Sequence, residues 1–304
     1  MMSQFKRLMM GTALVVVGLL MNPAQASARL NVVSSYPYIS SLVSEIAGNT
    51  VKNDTLASGA WDPHFIVAKP SLILKLRKAD LLIINGAQQE IAWMPPLLRQ
   101  SRNAKIQAGQ AGLLDLSAFA QKIQVPTNVS RALGDVHPQG NPHFVLDPDN
   151  VPRLAQAVSQ RLCQLDQGHC STFRQNAARF TQRWQTAAAG WQKRMAPLKG
   201  QKVVQYHRLH DYFLQHYGLN SVNTLEPLPG IPPTPQHLNA VIQQIGDENV
   251  AWNLRGVYQP AAPSKTVSSK TNARLLTLPH DVQAVPQAKD LFSLYETLLK
   301  GFGV

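Results

Sequence analysis

The sequence predicts an α/β protein of two lobes, each built on a mostly parallel sheet, joined by one long rigid helix. Three observations carry this expectation. Strand-like and helix-like stretches alternate in both halves of the chain. Strand stretches such as Leu81-Leu82-Ile83-Ile84 are apolar at every position, as in a parallel sheet covered on both faces. Between the halves, apolar residues recur at three- and four-residue spacing without interruption.

Taken in order, Leu30 to Ser34 reads as a β-run, Tyr38 to Ala47 as a helix and Val51 to Leu56 as a second strand. Pro70-Ser71 opens a helix with Ser71 as the expected cap before Leu72, Leu74 and Leu76. Ala79-Asp80 closes it, and the strand Leu81 to Ile84 ends in the turn Asn85-Gly86. Residues 151–163 are helical. From Thr172 to Met195, Phe173, Ala177, Phe180, Trp184, Ala188, Trp191 and Met195 share one helix face. Pro197 and Gly200 end that helix. Its aromatic stripe is expected to pack a core rather than stack a ligand. Beyond it, strands are expected at Lys202 to Tyr206, Ser221 to Leu225, Gly256 to Tyr258 and Arg274 to Leu278. Helices are expected at Asp211 to His216, Pro235 to Ile245 and Lys289 to Phe302.

The ends and the composition narrow the class. Lys6 and Arg7, an apolar run from Leu8 to Met21 and the small-residue phrase Ala24-Gln25-Ala26 read as a cleavable secretory signal over residues 1–26. The run is shorter than the roughly 20 residues that span a bilayer, so the mature chain is expected in a bacterial periplasm with no membrane insertion. The organisation then reads as a signal peptide at 1–26, an N-terminal lobe at 27–171, a linking helix at 172–198 and a C-terminal lobe at 199–304. Hydrophobic content of 44% and charged content of 15% describe a globular chain. The net charge of +12 is scattered and forms no basic run, which argues against nucleic acid. Cys163 and Cys170, with a turn at Asp166-Gln167-Gly168 between two helices, are expected to pair in an oxidising compartment.

Chemistry concentrates in histidine phrases placed after strands. Asp62-Pro63-His64 and Asn141-Pro142-His143 each set a histidine behind a proline, whose fixed φ limits the entropy lost on holding the ring. His207 follows the strand Lys202 to Tyr206. Strand ends from separate stretches converge at one sheet edge, and three neutral imidazoles suit Zn²⁺ better than Mn²⁺. His210 is the alternative to His207, and His237 is expected to be structural. Asp62 and Asp147 are candidates to orient the rings.

These phrases resemble the zinc- and manganese-binding solute-binding proteins of bacterial ABC transporters. The matching residues are Asp62-Pro63-His64 with Pro70-Ser71, Ala79-Asp80-Leu81 with Asn85-Gly86, and Gly140-Asn141-Pro142-His143 with Leu146-Asp147-Pro148. His207 before Tyr217-Gly218-Leu219 completes the set. The resemblance implies metal ligands at His64 and His143 from the first lobe and at His207 from the second. It also implies a monomer that hands its ion to a membrane permease, with no catalysis. The chain departs from the family pattern at the usual fourth ligand, an aspartate, where Leu278-Pro279-His280-Asp281 carries proline. Glu226 is then the first candidate for the fourth position, with His280, Asp281 or water as alternatives. A histidine-rich loop is also lacking; His137 alone stands in that region. Other readings of the same residues are a periplasmic zinc hydrolase using a three-histidine metal-bound water, a metal-dependent adhesin or a zinc chaperone.

Overall fold

In the computed structural model, residues 29–128, 134 and 137–304 are described; the expected signal at 1–26 lies outside them. The first half runs β1 (Asn31–Ser34), α1 (Pro37–Ala47), β2 (Lys52–Thr55), α2 (Pro70–Lys78), β3 (Leu81–Ile84), α3 (Met94–Ser101), β4 (Leu113–Asp115) and α4 (Asn150–Leu165). Its four strands form one parallel sheet in the order β2-β1-β3-β4. After α5 (Cys170–Met195), the second half runs β5 (Lys202–Gln205), α6 (Asp211–Tyr217), β6 (Asn220–Thr224), α7 (Pro235–Glu248), β7 (Trp252–Gly256), α8 (Ala261–Ser269), β8 (Arg274–Leu278) and α9 (Leu291–Phe302). Its sheet is parallel too, in the equivalent order β6-β5-β7-β8. Two α/β lobes of like topology result. Each sheet changes direction beside its first strand, and crevices at such points lie outside the carboxyl ends of the strands.

The central strands are apolar because helices cover both faces: Val32, Val33, Leu81, Leu82 and Ile83 are all buried. The linking helix α5 is 26 residues long, or about 39 Å at 1.5 Å per residue. Its aromatic stripe is core, as expected. Trp184 and Trp191 pack against Tyr295 of α9 at ring-centroid distances of 5.1 and 4.9 Å. The polar edges of these rings are satisfied rather than buried bare. The Trp184 indole donates to the Pro148 carbonyl at 2.8 Å, the Tyr295 hydroxyl to the Val145 carbonyl at 2.9 Å, and the Trp191 indole to Glu296 at 2.6 Å. The core thus grips the segment that immediately follows His143. Cys163 and Cys170 are bridged and close the corner between α4 and α5.

The sequence expectation does not include α3, β4 or α8, and it differs from the structure in further details. Ser71 is not the cap of α2; Lys69 holds that place and Pro70 occupies the first turn, where its missing N–H leaves no bond unmade. The third strand of the second sheet is Trp252–Gly256, not Gly256 to Tyr258. Asn253 breaks the apolar run yet is fully buried, its amide donating to the Ser264 carbonyl at 2.9 Å. Helix α5 begins at Cys170 rather than Thr172.

Trp184→Ala should lower unfolding free energy by about 3–5 kcal/mol, measured by urea denaturation of the mature protein. A change under about 1 kcal/mol would remove the aromatic cluster from its structural role.

Candidate metal centre

The two proline-histidine phrases fold into the same local device. Asp62 Oδ1 accepts the backbone N–H of His64 at 3.0 Å, and Asn141 Oδ1 accepts that of His143 at 3.0 Å. Each is an Asx turn that fixes the histidine backbone two residues on. The intervening proline carbonyls are held as well. Pro63 receives the Tyr36 hydroxyl at 2.7 Å and the Trp93 indole at 3.3 Å, and Pro142 receives the Asn85 amide at 3.1 Å. Asn141 also reaches the second lobe, donating to the Arg208 carbonyl at 2.9 Å and accepting the Tyr212 hydroxyl on its own carbonyl at 2.7 Å.

Parallel pairing sets the third histidine. The β5–β6 ladder matches Gln205 with Thr224 and continues past both strands, where Glu226 N–H donates to the Tyr206 carbonyl at 3.1 Å. That register lays the Glu226 carboxylate against His207 Nδ1 at 2.7 Å.

The structure brings His64, His143 and His207 together, with one ring nitrogen from each inside 4.8 Å of the other two. Ligands at 2.0–2.1 Å on a tetrahedral ion sit about 3.4 Å apart, so a modest contraction closes the set. Each Nδ1 has a neighbour that orients the ring. Asp62 Oδ1 lies 3.1 Å from that of His64, Glu226 faces His207, and the Gln89 carboxamide lies 3.4 Å from that of His143. The Gln89 amide nitrogen is the atom nearest Nδ1; a half-turn of the carboxamide would put its oxygen there to accept the Nδ1 proton and leave Nε2 as a lone pair. The Nε2 atoms of His64 and His143 are buried with no hydrogen-bond partner among the described residues. Burial holds His143 well below the ordinary imidazole pKa, and His64, His207, His137 and His280 nearby add to the effect. Burial raises the Asp62 pKa, but the His64 hydrogen bonds and charge outweigh it and keep the carboxyl below its usual range.

The remaining candidates have other work. Glu226 accepts from His207 and, at 3.0 Å, from Gly230 N–H, so it stands behind a ring. Asp281 Oδ1 accepts the Tyr38 N–H of the first turn of α1 at 2.8 Å, tying the lobes, and burial pushes it up to about 8. His280 is buried edge-on to Tyr258 and is pushed down to about 3 by burial. His210 lies 3.3 Å from the Pro279 carbonyl and is pushed down to about 4, again by burial. His237 Nε2 lies 2.9 Å from the Thr224 carbonyl, a structural place. Asp147 does not orient His143; it lies 3.2 Å from His216 on α6, with Asp149 at 3.6 Å. Sequence reasoning missed Glu90, which accepts Asn85 and Gly86 N–H at 2.7 and 3.1 Å and is raised to about 7 by burial. It pins the turn that carries Gln89 and Asn85, and only the Asn85-Gly86 phrase signalled that turn.

Residues 32–301 match the profile of the family described as zinc-uptake complex component A, periplasmic. The chain is 23% identical to the high-affinity zinc uptake system protein ZnuA of Paracoccus denitrificans, over 92% of this chain and 91% of that protein. It is 21% identical to the iron-binding protein YfeA of Yersinia pestis, over 93% and 89%. A crystal structure of ZnuA superposes with a TM-score of 0.77 at 20% identity, covering 90% of this chain and 98% of that one. The chain therefore belongs to this family of metal-binding solute-binding proteins of ABC transporters, which are not enzymes. Members are periplasmic proteins or lipoproteins, and no helix among the described residues is long and apolar enough to cross a membrane.

His143 should stay neutral through the usual imidazole range near pH 6.5. Its folded pKa lies below its unfolded one, so its contribution to metal-free stability declines as pH falls below about 6.5. Ring-proton NMR of the metal-free protein should show no His143 inflection between roughly pH 7 and 6; an inflection there would mean the ring is solvated.

Proposed function

We propose that this protein captures Zn²⁺ in the cleft between its lobes and delivers it to the membrane permease of an ABC importer. The ligands are the Nε2 atoms of His64, His143 and His207, while Asp62 and Glu226 stand behind two of the rings and balance the ion's charge. The observation that carries the reading is the pair of buried, unpartnered Nε2 atoms on His64 and His143 beside a third oriented imidazole. A buried acceptor without a partner costs about 1–3 kcal/mol, a cost that a bound cation removes.

An imidazole set favours zinc over manganese, whose preference runs to carboxylate and water oxygens. The net charge of +12 works against long-range capture of a cation. Selectivity and affinity then rest on the ligands and on the two local carboxylates. Export through a cleavable signal at 1–26, to a periplasm where the chain acts as a monomer, fits this task.

The mature protein should bind one zinc per chain, counted by elemental analysis and titrated against a competing chelator. His64→Ala, His143→Ala and His207→Ala should each weaken zinc by at least about 100-fold, and Glu226→Gln by about 10- to 100-fold as an orienting partner. Manganese bound more tightly than zinc, or zinc retained in all three alanine variants, would refute the assignment.

A further inference from the structure

The net charge of +12 does nothing to hold a cation, yet part of it is gathered in one place. The first sheet, ordered β2-β1-β3-β4, reverses direction after β2, so right-handed crossovers set α1 on one face and α2 and α3 on the other. Packing agrees: α1 lies against α4 and α5, while α2 lies against α3. The α2–α3 layer is therefore on the side of the first lobe away from the linking helix.

That layer is basic. Along α2, Leu72 and Leu76 turn inward, while Lys69, Leu74, Arg77 and Lys78 are exposed. Arg99 and Arg102 are exposed at the exit of α3. Asn103 joins the two groups, its amide donating to the Leu76 and Ala79 carbonyls at 2.9 and 2.7 Å. Two acids border this surface and both are taken, Asp54 by Lys75 at 2.6 Å and Asp80 by Lys105 at 2.7 Å. Lys69, Arg77, Lys78, Arg99 and Arg102 have no carboxylate partner among the described residues. Apolar side chains stand between these cations, with Val67 72% and Leu74 54% exposed.

The fold does not require this charge. Helix α7 holds the equivalent place in the second sheet, joining β6 to β7 as α2 joins β2 to β3. It contains no lysine or arginine and ends in Asp247 and Glu248, whereas α2 has Lys75, Arg77 and Lys78 and no acid. Cations in a last turn suit the helix dipole, but α7 does without them, and Lys69 stands at the opposite end, where the dipole disfavours it.

We propose that the outer face of α2 and the exit of α3 dock this protein on the anionic lipid surface of the membrane that carries its permease. The cations meet phosphate headgroups, and Val67 and Leu74 enter the interfacial layer between them. An acidic protein face would match the cations but not the aliphatic side chains among them, which favour lipid. Docking of this kind needs no segment that crosses the bilayer. It confines the carrier to the plane of its permease. The negative surface also concentrates divalent cations beside it, which offsets the repulsion from the protein's own charge.

The test is co-sedimentation of the mature protein with vesicles of phosphatidylethanolamine and phosphatidylglycerol, set against vesicles of phosphatidylcholine alone. Binding should occur on the anionic vesicles only and weaken as salt is raised. Each cation at such a surface contributes roughly a fivefold factor in affinity. The combined variant Arg77→Gln, Lys78→Gln, Arg99→Gln, Arg102→Gln should therefore bind at least about 100-fold more weakly, with zinc affinity and thermal midpoint unchanged. An equal loss of exposed charge on the second lobe, by Lys265→Gln, Lys270→Gln, Arg274→Gln and Lys289→Gln, should leave vesicle binding within about threefold of wild type. Equal losses in the two variants would reduce the effect to net charge and overturn the proposal. So would equal binding to both kinds of vesicle, or none to the anionic kind. Retention by the detergent-solubilised permease that the first variant loses, without vesicle binding, would give this surface to a protein partner instead of lipid.

Discussion

Lone pairs held away from water without a partner are the constraint around which this molecule is built. His64 and His143 bury Nε2 atoms that no group among the described residues satisfies, at a cost of about 1–3 kcal/mol each. Such a site must be held by structure stable enough to keep rings neutral, oriented and close. Each supporting feature answers to that need. The Asx turns of Asp62 and Asn141 fix the histidine backbones, Glu226, Asp62 and Gln89 fix the rings, and the Trp184 and Tyr295 bonds fix the segment after His143. The Asp281 bond to Tyr38 N–H holds the second lobe to the first.

The fold supplies this support economically because parallel sheets gather loops at their carboxyl edges. His64 follows β2, His143 lies beyond β4, and His207 follows β5, so three distant stretches reach one crevice. The long helix α5 then has two roles from one sequence pattern. Its aromatic face packs on α9 and so builds a core shared by the lobes, and its Trp184 indole donates to the backbone that follows His143. A helix of this length, packed along one face, resists bending. Changes in the cleft are therefore expected from loops, with the lobes moving little.

Much of this was legible in the sequence, for physical reasons. Leu81 to Ile84 and the stripe from Phe173 to Met195 announce themselves through periodicity, and proline before histidine marks a stiffened turn. What escaped detection depends on contacts that periodicity does not record. Helix α3 opens with Met94-Pro95-Pro96, which reads as a breaker although proline is tolerated in a first turn. Strand β7 contains a buried Asn253 whose amide nitrogen donates to the Ser264 carbonyl and the Ser268 hydroxyl. Glu226 is a candidate fourth ligand because it follows a strand, and the β5–β6 register that lays it against His207 is not recorded in periodicity.

A basic overall charge, with Asp62 and Glu226 as the carboxylates against the rings, leaves coordination chemistry to do the selecting. Asp62 and Glu226 lie against the Nδ1 atoms of two imidazoles and orient them, and an imidazole set favours borderline-soft cations over hard ones. The central claim is that one cation sits at the convergence of three Nε2 atoms. Anomalous diffraction at the zinc edge from crystals of the zinc-loaded mature protein tests it most directly. The account predicts one strong peak within about 2.1 Å of a nitrogen from each of His64, His143 and His207. A dominant peak elsewhere, at His216 with Asp147 for instance, would contradict it.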